Sequence, residues 1–171
     1  QTNSRRCIMG YSTDFEGSIK IDPPLNQAEI NYLLRFSWTR HMKRKQGPYF
    51  VVDDIDDAEN EIGVINFNEP HTPQPSLWCN FEPTEDGTAI CWNKCEKTQE
   101  GFAWIKYLID YFLKPKAKTH NVESTHFKDF TYDHVCNGEL FAQGEDPKDV
   151  WKIVVKDNKV SVKYGKIVYG K

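Results

Sequence analysis

The sequence lacks a long apolar segment and an excess of basic residues. No run approaches the roughly 18 consecutive apolar residues of a membrane-spanning helix, and residues 1–6 are polar with no apolar signal-peptide core after them. Twenty-two Lys and Arg stand against 25 Asp and Glu, giving a net charge of −3. A duplex-DNA-binding protein that relies on phosphate contacts would be basic. We therefore expect no membrane segment and do not favour a nucleic-acid partner.

Cysteine is scarce and odd in number. The five residues are Cys7, Cys79, Cys91, Cys95 and Cys136. A small secreted scaffold held by disulfides is denser in cysteine and usually has an even count. We therefore expect reduced thiols and a cytoplasmic location.

Recognisable catalytic motifs are also missing. The chain has no P-loop, no HExxH helix, no nucleophile elbow and no glycine-rich dinucleotide turn. It contains no internal repeat and no low-complexity tract. The residues therefore indicate no particular enzyme class, and we expect no cofactor.

What the sequence does contain is the composition of one globular domain. Its 171 residues are 39% hydrophobic and 13% aromatic, which suffices for a core without disulfides. Met9 is typical of a natural start, so we expect a single domain over residues 9–171, with 1–8 as an extension. Residues 43–76 are acidic and rich in proline, and we expect them to form a long excursion suited to mobility or a partner contact.

Two helices are predicted from apolar spacing. The first covers about 27–42, where Asn26 is a good N-cap and Glu29 stands three residues later, as in a capping box. The second covers about 99–113 and is ended by Pro115. Its broad apolar face is typical of a helix buried against a sheet.

Strands are predicted before, between and after these helices. They cover 10–21, 77–81, 88–92, parts of 130–143, 151–156 and 160–164. Two-residue turns at Asp86-Gly87 and Asp157-Asn158 would place Phe81 beside Trp92, and Val155 beside Val160. The order βαββαβ predicts an α+β fold, a ferredoxin-like sandwich with extra C-terminal antiparallel strands. That fold serves many functions and implies none by itself.

Several stretches of the chain form a pattern that extends over most of its length. They are Met-Gly-Tyr-Ser-Thr-Asp-Phe at residues 9–15, then 74–79, 84–89, the second helix and Gln-Gly-Glu-Asp-Pro at 143–147. Together these stretches resemble a family of short uncharacterised bacterial and phage proteins. The likeness covers nearly the whole chain after Met9, but excludes the acidic stretch at Asp53 and the pair Cys91 and Cys95. It implies kinship and a phage-related setting without implying an activity.

Two clusters have the residue types of metal ligands. Cys79, Cys91 and Cys95 would come together if Cys79 and Cys91 shared a face of the predicted hairpin, but a zinc site needs a fourth ligand. The acidic run 53–57 could hold Ca²⁺, although it lacks the spacing of an EF-hand loop. The alternatives are buried thiols and a solvated loop, and we expect no metal.

Acid–base chemistry has weak candidates. Glu145 and Asp146 sit in one turn, and His134 could lie near them in space. His120, His126 and Cys136 add a thiol and two imidazoles nearby in sequence. The alternative is that Asp146-Pro147 forms an ordinary turn and that the histidines occupy a polar loop.

Three functions therefore remain open. The first is a non-enzymatic binding or regulatory module with a protein partner. Its candidate binding residues are Trp78, Trp92, Gln143, Glu145, Asp149 and Trp151. The second is an enzyme of unknown class with an acidic site at the turn 144–145. The third is a single-stranded nucleic-acid binder that uses sheet aromatics with Lys152, Lys156 and Lys163.

Overall fold

The computed structural model describes residues 11–95 and 98–170. Cys7, the extension 1–8 and the first two residues of the family-like opening lie outside the described residues. No helix in the described part of the chain is long and apolar enough to cross a membrane.

The fold is α+β, built on one antiparallel sheet of six strands. The strands are β1 (Thr13–Asp22), β2 (Lys43–Arg44), β3 (Val64–Asn66), β4 (Phe81–Pro83), β5 (Ala89–Trp92), β6 (Val135–Gly144), β7 (Val150–Lys156) and β8 (Lys159–Tyr164). The large sheet has the order β4-β5-β1-β6-β7-β8, and β2 and β3 form a separate small ribbon. β1 is therefore central, with antiparallel neighbours β5 and β6 on its two sides.

Helix α1 (Gln27–Trp38) begins at the predicted capping box. The Asn26 side chain accepts a hydrogen bond from the Glu29 N–H at 3.0 Å, and the Glu29 carboxylate accepts one from the Asn26 N–H at 2.8 Å. The helix ends earlier than the sequence predicts because Thr39 turns into extended backbone. Met42 is buried beyond the end of the helix.

Helix α2 (Gly101–Leu108) continues into a π-helical turn at Ile109–Leu113. It stops where Lys114 becomes extended, as expected before Pro115 because an α conformation there would clash with the proline ring. Gly101 lies directly against Phe15 of β1, since a Cβ at this position would be 2.6 Å from the Phe15 ring. This close approach fixes the start of α2 on the sheet.

The core lies on one face of the sheet. Along β1, Phe15, Ile19 and Ile21 are buried, whereas Glu16 and Lys20 are exposed. The helices share this core and contact each other, with the rings of Phe36 and Trp104 6.0 Å apart and those of Tyr32 and Phe112 5.5 Å apart. Aromatic rings therefore form part of the contact between the helices.

The excursion 43–76 is anchored to the domain at several points. It contains the ribbon of β2 and β3 and a short 3₁₀ turn at Ile55–Asp57. Val51 belongs to the main core. The buried Arg44 side chain donates hydrogen bonds to the carbonyls of Asn60 and Ile62 and lies over the Phe50 ring. The loop is thus held by buried contacts.

The two predicted hairpin registers are confirmed. Phe81 pairs with Trp92, and Val155 pairs with Val160. The second hairpin has the predicted two-residue turn, with positive φ at both Asp157 (47°) and Asn158 (67°). Such a turn matches the twist of the strands that it joins.

The first hairpin turn is longer than the sequence predicts. Thr84 donates its N–H to the Ala89 carbonyl at 2.9 Å, so the loop comprises residues 85–88, and positive φ occurs at Gly87 but not at Asp86. The wider loop is held by the Asp86 carboxylate, which accepts hydrogen bonds from Thr88 and Thr84. These bonds lower the pKa of Asp86.

The strand predicted at 77–81 is also shorter than expected. Asn80 adopts a φ of +57°, which interrupts extended backbone, so β4 begins only at Phe81. The preceding residues lead into the sheet without forming a ladder.

We predict that Gly87→Val destabilises the fold. Gly87 has a φ of +70°, and a Cβ there would lie 2.6 Å from the Leu25 carbonyl oxygen. Gly47 also has positive φ (+87°) but no atom within 4 Å of an added Cβ, so Gly47→Val is the matched control. We expect the free energy of unfolding, measured in urea, to fall by roughly 1 kcal/mol or more beyond the control. Equal losses would show that the contact with Leu25 has no energetic role.

Candidate functional site

A recess of about 600 Å³ lies at one end of the sheet. It is formed where β1 begins, β7 begins, β8 ends and α2 starts. We call it the end recess and define it by Tyr11, Thr13, Phe15, Glu100, Gly101, Trp151 and Tyr164, which line it together with neighbouring residues. Its size falls in the range typical of small-molecule sites.

Aromatic rings form the wall of the end recess. The Phe15 ring meets Trp151 edge to face, with centroids 5.6 Å apart, and meets Trp92 at 6.2 Å. The Trp92 indole N–H donates a hydrogen bond to the Thr98 hydroxyl at 2.7 Å. The structure therefore brings two of the predicted tryptophans to one ring. Trp151 lines the recess, and Trp92 packs behind Phe15.

The turn after β6 uses three of the predicted binding residues for its own structure. Gln143 donates from its side-chain amide to the carbonyls of Gly144, Asp146 and Asp149. Glu145 accepts a hydrogen bond from the Ser12 N–H at 2.7 Å. Asp149 accepts one from the Tyr11 hydroxyl, which raises the pKa of Tyr11. These side chains hold the turn against the entry to β1.

Trp78 lies apart from this region. It is half-buried and is not among the residues that line the end recess. Sequence reasoning conversely missed Phe15, Tyr11 and Tyr164. The sequence predicts a strand over 10–21, but only the pairing of β1 with β6 and of β6 with β7 brings Phe15 to Trp151.

The structure separates the proposed acid–base residues, so the expectation that His134 lies near Glu145 and Asp146 is wrong. His134 precedes β6 and Glu145 follows it, and β6 is a continuous strand of ten residues. A strand of that length spans about 30 Å. Both carboxylates are exposed.

His134 instead forms a buried pair with Glu29. Its Nε2 lies 3.1 Å from the Glu29 carboxylate, and its Nδ1 lies 2.6 Å from the Pro23 carbonyl oxygen. Thr131 donates its N–H to the same carboxylate at 2.8 Å. Both members are at most 1% exposed. The pair ties the first turn of α1 to the entry of β6.

The environment of this pair favours the charged form of both groups. Burial opposes charge on Glu29, but hydrogen bonds from His134, Thr131 and Asn26 lower its pKa below the ordinary value. Burial likewise opposes charge on His134, but Glu29 and the Pro23 carbonyl raise the His134 pKa. The Asp133 carboxylate, 3.8 Å from Nδ1, acts in the same direction.

The other candidate nucleophile and bases are not assembled. His120 stacks on Tyr132 with centroids 4.7 Å apart, and His126 packs on Tyr32 at 5.2 Å. Cys136 is fully buried, and burial raises the pKa of its thiol to about 12. A thiol with so high a pKa is a poor nucleophile at neutral pH.

The three candidate zinc ligands do not converge. Cys79 is buried in the core, where burial raises its thiol pKa to about 12, whereas Cys91 pairs with Glu82 on the opposite face of the hairpin. The shared face that a zinc site with Cys79 and Cys91 would require is therefore not formed. Within residues 11–95 and 98–170, no three His, Cys, Asp or Glu side chains are placed to hold a metal ion. Neither Cys95 nor the acidic run 53–57 therefore belongs to such a group.

We predict two classes of thiol reactivity. Cys79 and Cys136 are fully buried and Cys91 and Cys95 are half-buried, and all four are free thiols. Treatment of the native protein with iodoacetamide should label Cys91 and Cys95 well before Cys79 and Cys136, because the buried thiols lack both access and thiolate. Peptide mass spectrometry reads the order, and labelling in urea is the control. Early labelling of Cys79 would contradict its place in the core.

We predict that Glu29→Gln destabilises the protein most between pH 4.5 and 6.5. The lowered pKa of Glu29 means that its stabilisation is present above 4.5 and is lost as pH falls through the folded-state pKa. The raised pKa of His134 means that its stabilisation is present below 6.5 and is lost as pH rises through the folded-state pKa. Breaking such a buried pair costs about 3 kcal/mol or more.

Urea unfolding across this pH range measures the difference between the wild type and the variant. Glu16→Gln, on the exposed face of β1, is the matched control. A destabilisation by Glu29→Gln that does not change with pH would show that the pair is not charged in the folded protein.

Comparisons with known proteins add no relative. No family model matches the chain. No curated protein and no solved structure matches it significantly either.

Proposed function

We propose that the chain is a non-enzymatic binding module that contacts a protein partner through its C-terminal edge, defined as β8 and residues 165–170. The observation that carries this proposal is a run of exposed apolar side chains that lie close together in the chain. Tyr164, Val168 and Tyr169 are each at least 85% exposed, and Ile167 is 43% exposed. Large apolar side chains gathered on a surface typically mark an interaction site.

The backbone of β8 supports the same proposal. β8 is the last strand of the described sheet and pairs only with β7 within it, so the outer N–H and C=O groups of Lys159–Tyr164 face away from the sheet. Such an edge can accept an added strand from a partner. The opposite edge is less suitable because β4 has three residues and includes Pro83, which has no N–H to donate.

The charge of the C-terminal edge indicates the kind of partner. Lys159, Lys163 and Lys166 line it, and all three are exposed. Lysines on an edge strand oppose pairing with a second copy of the same chain. They are complementary to an acidic segment. The proposed partner is therefore a protein that presents an extended segment of carboxylate and apolar side chains.

The alternative functions have less support. An acid–base enzyme would need Glu145 and His134 together, and these residues flank opposite ends of β6. A nucleic-acid platform of the RNA-recognition type stacks two or three bases on aromatic rings. On the face of the six-stranded sheet opposite the core, the described strands carry one exposed ring, that of Phe141. Lys152 beside this ring is paired with Glu139 at 2.8 Å.

We also propose that the chain has a ferredoxin-like core, resides in the cytoplasm and is related to the family of short phage and bacterial proteins. The strand order β4-β5-β1-β6, with α1 after β1 and α2 between β5 and β6, supports a ferredoxin-like core extended by β7 and β8. The four free thiols of the described chain support a reducing, cytoplasmic setting. Kinship with the phage and bacterial family rests on the shared stretches of sequence.

Site-specific photocrosslinking tests the protein-binding proposal. We would place a photoreactive phenylalanine analogue at Val168 and, as a matched control, at Ile62, which is 67% exposed on the excursion. In lysate of the source cells, we expect one main adduct from position 168 and none in common with position 62. Unlabelled wild-type protein should compete for it, whereas protein carrying Lys163→Glu and Val168→Asp should not.

The adduct would be identified by mass spectrometry, and the partner would be purified for direct titration. We expect Lys163→Glu to weaken binding about tenfold, because it reverses a charge at the edge. The same adduct at both positions, an adduct of two copies of this chain, or an affinity unchanged by Lys163→Glu would overturn the proposal.

A further inference from the structure

The end recess and the edge strand β8 share a wall. Val162 and Tyr164 belong to β8, and both line the recess. Because side chains alternate along a strand, Val160, Val162 and Tyr164 lie on one face of β8, and Lys159 and Lys163 lie on the other. Val160 packs against the core. The end recess therefore lies on the core side of β8.

Helix α2 bounds the recess on the same side. It lies against β8, and Glu100 and Gly101 at its start line the recess. A strand added to the free edge of β8 would run about 4.8 Å beyond it, with its side chains alternating between the two faces of the sheet. A core-side residue of that strand opposite Val162 or Tyr164 would have its Cβ about 5 Å from theirs. Its side chain is therefore placed beside the recess.

The walls of the recess match an aromatic side chain. The rings of Phe15 and Trp151, which both line it, meet edge to face with centroids 5.6 Å apart. Aromatic rings favour such edge-to-face or offset contacts, so a further ring can extend this pair. The volume of about 600 Å³ leaves room for a large side chain.

The charges on the two faces of β8 differ. Glu100 is exposed at the recess, whereas Lys159 and Lys163 are exposed on the opposite face. Glu100 disfavours a carboxylate in the recess, and the lysines favour carboxylates on their own face. A strand that alternates neutral or aromatic side chains with carboxylates therefore complements both faces at once.

We propose that the end recess is a specificity pocket that receives one aromatic side chain of a partner strand added to β8. This inference rests on the proposed function and deepens it, because it assigns different side-chain chemistry to the two faces of the partner strand. Main-chain hydrogen bonds to β8 supply affinity for an extended segment of any sequence, and the recess selects the segment that carries a ring.

The test is an NMR titration of the full, ¹⁵N-labelled chain with capped peptides of the sequence Glu-Thr-Glu-X-Glu-Thr-Glu, where X is Phe, Ala or Glu. The alternation places X on the face opposite the other glutamates. We expect the Phe peptide to shift the amide signals of Lys159–Tyr164 and the Trp151 indole signal. It should bind about tenfold more tightly than the Ala peptide, because its ring is removed from water.

Variants of the recess test where the ring binds. Val162→Phe fills part of the recess and should reduce the preference for Phe over Ala, whereas Val135→Phe, at an exposed valine at the opposite end of the sheet, should keep it. Glu100→Lys should reduce the preference for Phe over Glu, whereas Glu123→Lys, at an exposed glutamate outside the recess, should not. If Val162→Phe does not fold, Glu100→Lys decides.

The outcomes separate this inference from the proposed function. Lys163→Glu should weaken the Phe and Ala peptides by the same factor, because it changes the face opposite the recess. Equal binding of the two peptides, with shifts in the β8 amide signals, would overturn the pocket and leave the binding edge intact. An unchanged Trp151 indole signal, an unchanged preference in Val162→Phe or Glu100→Lys, or no signal change at millimolar peptide would also overturn the pocket. The crosslinked adduct from Val168 decides the proposed function separately.

Discussion

The ladder between β1 and β6 is the constraint on which the other features depend. It pairs ten residues of each strand in one register, from Thr13 opposite Gly144 to Asp22 opposite Val135. A shift by one residue would turn every buried side chain of β1 to the exposed face. The ladder therefore fixes the core, and it also fixes two chemically different ends. The end recess lies at one of them, and the buried pair of Glu29 and His134 lies at the other.

The helices are attached to these two ends by different interactions. The ion pair holds the first turn of α1 near the start of β6. At the other end, the absence of a side chain at Gly101 lets α2 begin directly on Phe15. The attachment of α1 depends on the charges of Glu29 and His134, whereas the attachment of α2 depends on the close packing of Gly101 against Phe15. Because Gly101 lets α2 begin on Phe15, the uncapped start of α2 lies beside the end recess.

The recess and the C-terminal edge are adjacent because β8 ends at Tyr164, which lines one and begins the other. The turn after β6 supports both surfaces, since Glu145 and Asp149 hold Ser12 and Tyr11 in place. Residues that looked reactive in the sequence therefore position the site and do not form it.

The sequence by itself determined the features that a few neighbouring residues decide. The capping box of Asn26 and Glu29 and the turn at Asp157-Asn158 follow from local hydrogen bonds and backbone preference, so both were predicted correctly. Tertiary structure decided the rest. Glu145 and His134 are eleven residues apart in the chain, but a straight strand separates them. Trp151 reaches Phe15 only because β6 pairs with both β1 and β7. Short-range patterns cannot encode such encounters, since they depend on the register between strands that are distant in sequence.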